Sequence, residues 1–78
     1  MTTQEFIDTH KRFNWHRSKV ENGDIRREAS LMVKIWKKAY IVVYIAWSDI
    51  TRDVKSVFGK LYTFDTHLIK IFILQSHN

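Results

Sequence analysis

Residues 10–19, HKRFNWHRSK, are the part of this chain best equipped for chemistry, with four formal positive charges, two histidines, Phe13 and Trp15 in ten positions. Lysine and arginine seek phosphate, and an indole offers a flat face for a base, which is the pairing that single-stranded nucleic-acid binders use. If the segment is helical, Lys11, Trp15 and Lys19 fall at i, i+4 and i+8 with Arg12 beside them, opposite Phe6 and Phe13. A second basic set follows in Arg26, Arg27, Lys34, Lys37 and Lys38, so that residues 24–40 carry +3 once Asp24 and Glu28 are counted. From 41 to 65 the charges balance, with Arg52, Lys55 and Lys60 against Asp49, Asp53 and Asp65. The candidate partner-binding residues are therefore Lys11, Arg12, Trp15, Lys19, Arg26, Arg27, Lys34, Lys37 and Lys38. Against this stands a plainer reading, in which Trp15 packs on another element under lysine stems and each surface lysine only solubilises the fold.

Catalytic patterns are missing from the sequence. It has no cysteine nucleophile, no G-x-S-x-G, no glycine-rich phosphate loop and no H-E-x-x-H. His10 and His16 stand six apart and share no helix face, while His67 and His77 lie far down the chain, so no metal-ligand spacing arises. His10, in line with Phe6 and Phe13, reads as a histidine at the edge of a core. Asp49 and Asp53 are explained as a helix cap and a first-turn carboxylate. The expectation is a non-enzymatic binding protein with no cofactor, no metal and no small-molecule substrate.

The elements that must hold these residues read as helices. Thr2 and Glu5 ahead of Phe6 fit a capping box, and Phe6, His10, Phe13, Arg17 and Val20 form one stripe, predicting a first helix over about 3–21 that stops at Asn22-Gly23. Asn-Gly is also a hairpin signal, but the residues before it do not alternate as a strand does. Asp24 can cap a second helix, and Ile25, Ala29, Met32, Trp36, Ala39, Val43, Ala46 and Ile50 continue at steps of four and three. Ser48-Asp49 then marks a third helix over about 49–62, and Asp65 or Thr66 a last element over 67–75 that is either a buried helix or a central strand. The opposing signal is the β-branched and aromatic content of 40–45 and 69–74. A hairpin pairing Leu31–Trp36 with Tyr40–Trp47 would turn through Lys37-Lys38-Ala39 without glycine, asparagine or aspartate. The predicted fold is a mostly α, small three- to four-helix bundle, with an α+β alternative having strands near 31–36, 39–47 and 68–74.

The longest apolar run, AYIVVYIAW over 39–47, is apolar on all sides as a helix, with Ile41 and Ile45 on the side opposite its stripe, which predicts burial against other helices or a second copy of the chain. Nine residues are too few to span a membrane. At 78 residues the chain is expected to form one compact domain with a marginal core that self-association would support. A net charge of +5, a pI near 9.8 and mean hydropathy of -0.30 favour an anionic partner. The absence of cysteine and of a signal-like N-terminus points to a cytoplasmic protein. Three functions follow in order: nucleic-acid binding through the basic first helix, docking on an acidic partner protein as an interaction module or inhibitor, and peripheral attachment to an anionic membrane surface.

Overall fold

A computed structural model of the chain describes residues 1–65 and 67–74. One short helix, α1 (Thr3–Thr9), precedes five strands: β1 (Asn14–Glu21), β2 (Asp24–Trp36), β3 (Ala39–Ser48), β4 (Asp53–Thr63) and β5 (Leu68–Ile73). The strands form one antiparallel sheet in the order β1-β2-β3-β4-β5, each pairing with its predecessor in the chain. This overturns the helical bundle. β3 places Ile41, Val43, Ile45 and Trp47 on one side and Tyr40, Val42, Tyr44 and Ala46 on the other. A run apolar at every position satisfies a period of 3.6 as readily as a period of two, so β-branched and aromatic preference decides for strand.

The corrections follow from local chemistry. The capping box is present as expected: Glu5 N donates to Thr2 Oγ1 at 3.1 Å, and Thr2 N donates to Glu5 Oε1 at 3.2 Å. The helix nevertheless ends at Thr9 rather than near residue 21, because 14–21 pair with β2 instead. Asn22 and Gly23 form the hairpin turn between them, with φ of 50° and 78°, the pair of positive values a type I′ turn requires. β2 and β3 replace the second helix and turn through Lys37-Lys38, neither of which takes a positive φ. The ladder shift between Lys34 and Trp36, with Ile35 as the extra residue, supplies the twist that turn residues otherwise provide. Ser48-Asp49 opens a tight turn, closed by Arg52 N donating to Ser48 O at 2.9 Å with Arg52 at φ 54°, so β4 stands where the third helix was expected. The last element is the strand β5, at the sheet edge rather than its centre; Thr66 and Gln75 lie outside the described residues. The strand stretches of the α+β alternative fall in β2, β3 and β5.

Residues paired across an antiparallel ladder share a face, and the two faces of this sheet differ. The helix face carries Trp15, Arg27, Ala29, Leu31, Val33, Ile41, Val43, Ile45, Trp47, Val54, Val57 and Leu61. α1 lies across one end of it, where Phe6, Ala29, Ile45 and Trp47 form the buried core with Phe13, Trp15, Val43, Val54 and Val57 packed around them. The Phe6 ring stacks on Trp47 at 4.1 Å and meets Trp15 edge-on at 5.9 Å. His10 stacks on the other side of Phe6 at 4.1 Å, the core-edge place expected for it. Thr3 fixes the start of the helix to the sheet: Trp47 Nε1 donates to Thr3 Oγ1 at 2.9 Å, and Thr3 Oγ1 donates to Asp49 Oδ1 at 3.0 Å. Gly59 sits on the same face under the ring of Phe72, where a Cβ would lie 2.5 Å from the ring. Among the described residues, no element covers the opposite, open face.

Candidate binding surface

The open face is organised by paired rings. Tyr44 on β3 and Phe58 on β4 are directly opposite and stack at 5.0 Å, and one row further Tyr40 and Tyr62 stack at 5.4 Å. Tyr40 also stacks on Phe64 at 5.4 Å, extending the aromatic set past the end of β4. Lysines are interleaved with these rings. Lys60 Nζ lies 5.2 Å from the Tyr44 ring and 6.0 Å from Phe58, and Lys34 Nζ lies 5.6 Å from Phe64. Burial among these neighbours, followed by the proximity of Tyr62, raises the Tyr44 pKa, so its hydroxyl stays protonated and able to donate. Beside Tyr44 and Phe58, Arg26, Glu28, Ala46 and Ser56 line a concavity of about 230 Å³. The small side chain of Ala46 leaves this hollow between the rings and the guanidinium.

The residues singled out from the sequence are distributed rather than gathered. Lys11 and Arg12 stand exposed between α1 and β1. Trp15 is on β1, half-buried, and its Nε1 donates to His10 O at 3.1 Å, so it belongs to the core under α1 and is no stacking platform. Arg27 faces the helix side and is committed to Asp49, with Nε–Oδ1 at 2.9 Å and Nη2–Oδ2 at 3.0 Å; this pairing raises the arginine pKa further. Lys19 and Arg26 are cross-strand partners on the open face, Lys19 bridged to Glu21 at 3.1 Å and Arg26 to Glu28 at 3.3 Å. Lys34 shares that face, and Lys37 and Lys38 occupy the adjoining β2–β3 turn. The structure thus joins Lys34, Lys37 and Lys38 at one end of the sheet and Lys19 and Arg26 toward the other.

Sequence reasoning missed Tyr40, Tyr44, Phe58, Lys60, Tyr62 and Phe64. The signal was the two-residue alternation Tyr40-x-Val42-x-Tyr44 and Phe58-x-Lys60-x-Tyr62, which has meaning only once these stretches are read as strands.

At the far end of the sheet the carboxylates are structural. Ser48, buried, donates its hydroxyl to Asp24 Oδ2 and accepts from Thr51 N at 3.2 Å, while Asp24 Oδ1 accepts from Ile50 N at 3.0 Å. The Ser48 hydroxyl is the largest cause holding the Asp24 carboxyl below its usual range. A carboxylate so stabilised is a weaker base, and the pair ties the β3–β4 turn to the start of β2. Glu5 and Asp53 are depressed in the same sense by the hydroxyls of Thr2 and Thr51. A carboxyl with a folded pKa below its unfolded value stabilises fully above the unfolded value, about 3.9–4.3, and loses that contribution as pH falls through the folded one. The urea midpoint is therefore expected to hold from neutrality to about pH 5 and to drop below about pH 4. Asp24→Asn should lower the midpoint at pH 7 and flatten the acid limb; an unchanged limb would show that Asp24 takes no part in it.

Asp49 and Asp53, expected to cap and begin a helix, instead hold a turn and a strand start: Asp49 binds Arg27 and Thr3, whereas Asp53 accepts from Thr51 and pairs with Lys55 at 3.3 Å. Among the described residues no group of histidine and carboxylate side chains is arranged to hold a metal ion, and no helix is long and apolar enough to cross a membrane. Comparison of the chain with protein-family models, with curated proteins and with solved structures gives no match.

Proposed function

We propose that the protein is a non-catalytic module that binds single-stranded nucleic acid on the open face of its sheet. The observation that carries this reading is the interleaving of stacked rings with lysines on a face that no other element covers among the described residues: Tyr44–Phe58 with Lys60, and Tyr40–Tyr62–Phe64 with Lys34. Aromatic faces stack bases of any identity, and the neighbouring ammonium groups meet the phosphates between them. An open sheet face with rings on its surface suits splayed bases better than a duplex, whose bases are already stacked on one another. The net charge of +5 acts in the same direction by attracting the polyanion. The partner class is the one the sequence ranks first, but its seat is the sheet rather than a basic helix.

The test is fluorescence-anisotropy titration of a labelled oligothymidine or oligouridine with nuclease-treated protein at several salt concentrations. If Lys34, Lys60 and one or two of the neighbouring cations each meet a phosphate, log K should fall with log salt at a slope of roughly -2 to -3, about -0.7 for each phosphate. Duplex of the same length should bind more weakly. Absence of binding, or binding indifferent to salt, would overturn the proposal. Stoichiometric recovery of an acidic protein together with no oligonucleotide binding would reassign the same rings and cations to a protein surface.

A further inference from the structure

The other face of the sheet has a different problem, which nucleic acid does not solve. α1 has seven residues and is about 10 Å long, whereas the molecule extends 40 Å along its longest axis, so the helix covers only one end of its face. Beyond it Leu31, Val33, Ile41, Leu61 and Phe72 continue on the same side with Trp36 opposite Ala39 at the rim, and Thr63 and Lys70 are the polar exceptions. Trp36 is 71% exposed and Val33 41% exposed. We infer that this free half of the helix face is a self-association surface, on which a second copy of the chain packs sheet to sheet about a twofold axis that runs across the strands.

Three observations select a second copy as the occupant. The first is area: a folded monomer of 9.4 kDa is expected to expose about 5,000 Å², and this chain exposes 5869 Å². The excess, roughly 850 Å², is spread over both faces of the sheet, and it leaves room for the roughly 800 Å² that each partner contributes to an interface of standard size. The radius of gyration agrees, at 13.7 Å against about 11.5 Å for a compact chain of this length. The second is shape. Packed sheets lie about 10 Å apart, close to the diameter of a helix, so a partner sheet seated on the free half fills the same layer as α1 and meets it side to side. The third is charge. Under the twofold, the partner's β2–β3 turn with Lys37 and Lys38 comes up to α1, whose charged residues, Glu5 and Asp8, are both acidic and exposed. The open face, with Lys34 and Lys60 among its rings, stays outward in both copies.

The surface is tested by light scattering and sedimentation equilibrium on nuclease-treated protein without nucleic acid, so that the outcome does not depend on the binding proposal. Wild-type protein is expected at twice the 9.4 kDa chain mass. Val33→Glu and, independently, Trp36→Ser should each yield monomer with unchanged strand circular dichroism. Both side chains are well exposed in the single chain, which keeps these variants foldable. Met32→Glu, one residue along β2 on the open face, should remain dimeric. Monomeric wild-type protein up to millimolar concentration would overturn the inference. So would loss of the dimer in Met32→Glu with its retention in Val33→Glu and Trp36→Ser.

Discussion

Phe6→Ala is expected to cost this fold about 3–5 kcal/mol in a urea melt. A chain of 78 residues has roughly 4–12 kcal/mol in total, so the loss is at least about a quarter of the stability of the fold. The magnitude follows from the ring's position. Phe6 is the only residue of α1 in the buried core, it stacks on both Trp47 and His10, and it touches Trp15 edge-on. Without it the helix retains its capping box and the Thr3 hydrogen bonds but loses its one fully buried side chain, and a seven-residue helix does not stand alone in water. Ile50→Ala provides the contrast: its side chain is 64% exposed in the β3–β4 turn, and the change should stay within about 0.5 kcal/mol. Equal effects in the two variants would contradict the placement of the core under α1.

The second large effect concerns binding. Replacing Tyr44 and Phe58 together by alanine removes one stacked pair from the open face while leaving the charge untouched. Each stacked base is worth about 1–3 kcal/mol, so oligonucleotide affinity should fall roughly 5- to 150-fold, with the salt slope unchanged. Lys60→Ala should do the reverse, reducing the slope by about 0.7 with a smaller loss of affinity. Loss of the pair also weakens β3–β4 pairing by roughly 0.5–1.5 kcal/mol, so binding is to be measured where circular dichroism shows the sheet intact. Unchanged affinity in the double variant would exclude the rings as a base platform.

How much of this could be read in the sequence depended on how local the signal was. The capping box at Thr2 and Glu5 involves four consecutive residues and was legible. The Asn22-Gly23 turn was equally local but open to two readings, and only pairing between β1 and β2, which joins residues as far apart as Asn14 and Ser30, settles it as a hairpin. β3 was legible only as the alternative to a helix because both of its faces are apolar: one meets α1 and the inferred partner copy, and the other carries Tyr40 and Tyr44. The Lys37-Lys38 turn lacked turn residues because the bulge at Ile35 performs their role, and a bulge leaves no mark on composition. Among the candidate site residues, Lys34 lies where the proposed surface needs it. Trp15 does not, because helical spacing placed it among cations, whereas strand pairing sets it opposite Ala29 under α1.

That the two sides of one sheet do different work is tested most directly by amide and side-chain NMR of labelled protein titrated with a short oligothymidine at constant protein concentration. The account predicts shifts confined to Tyr40, Tyr44, Phe58, Lys60, Tyr62 and their neighbours on the open face, with Val33, Ile41 and Leu61 unmoved. Shifts centred on Lys11, Arg12 and the residues around Trp15, or on Val33 and Ile41, would contradict it.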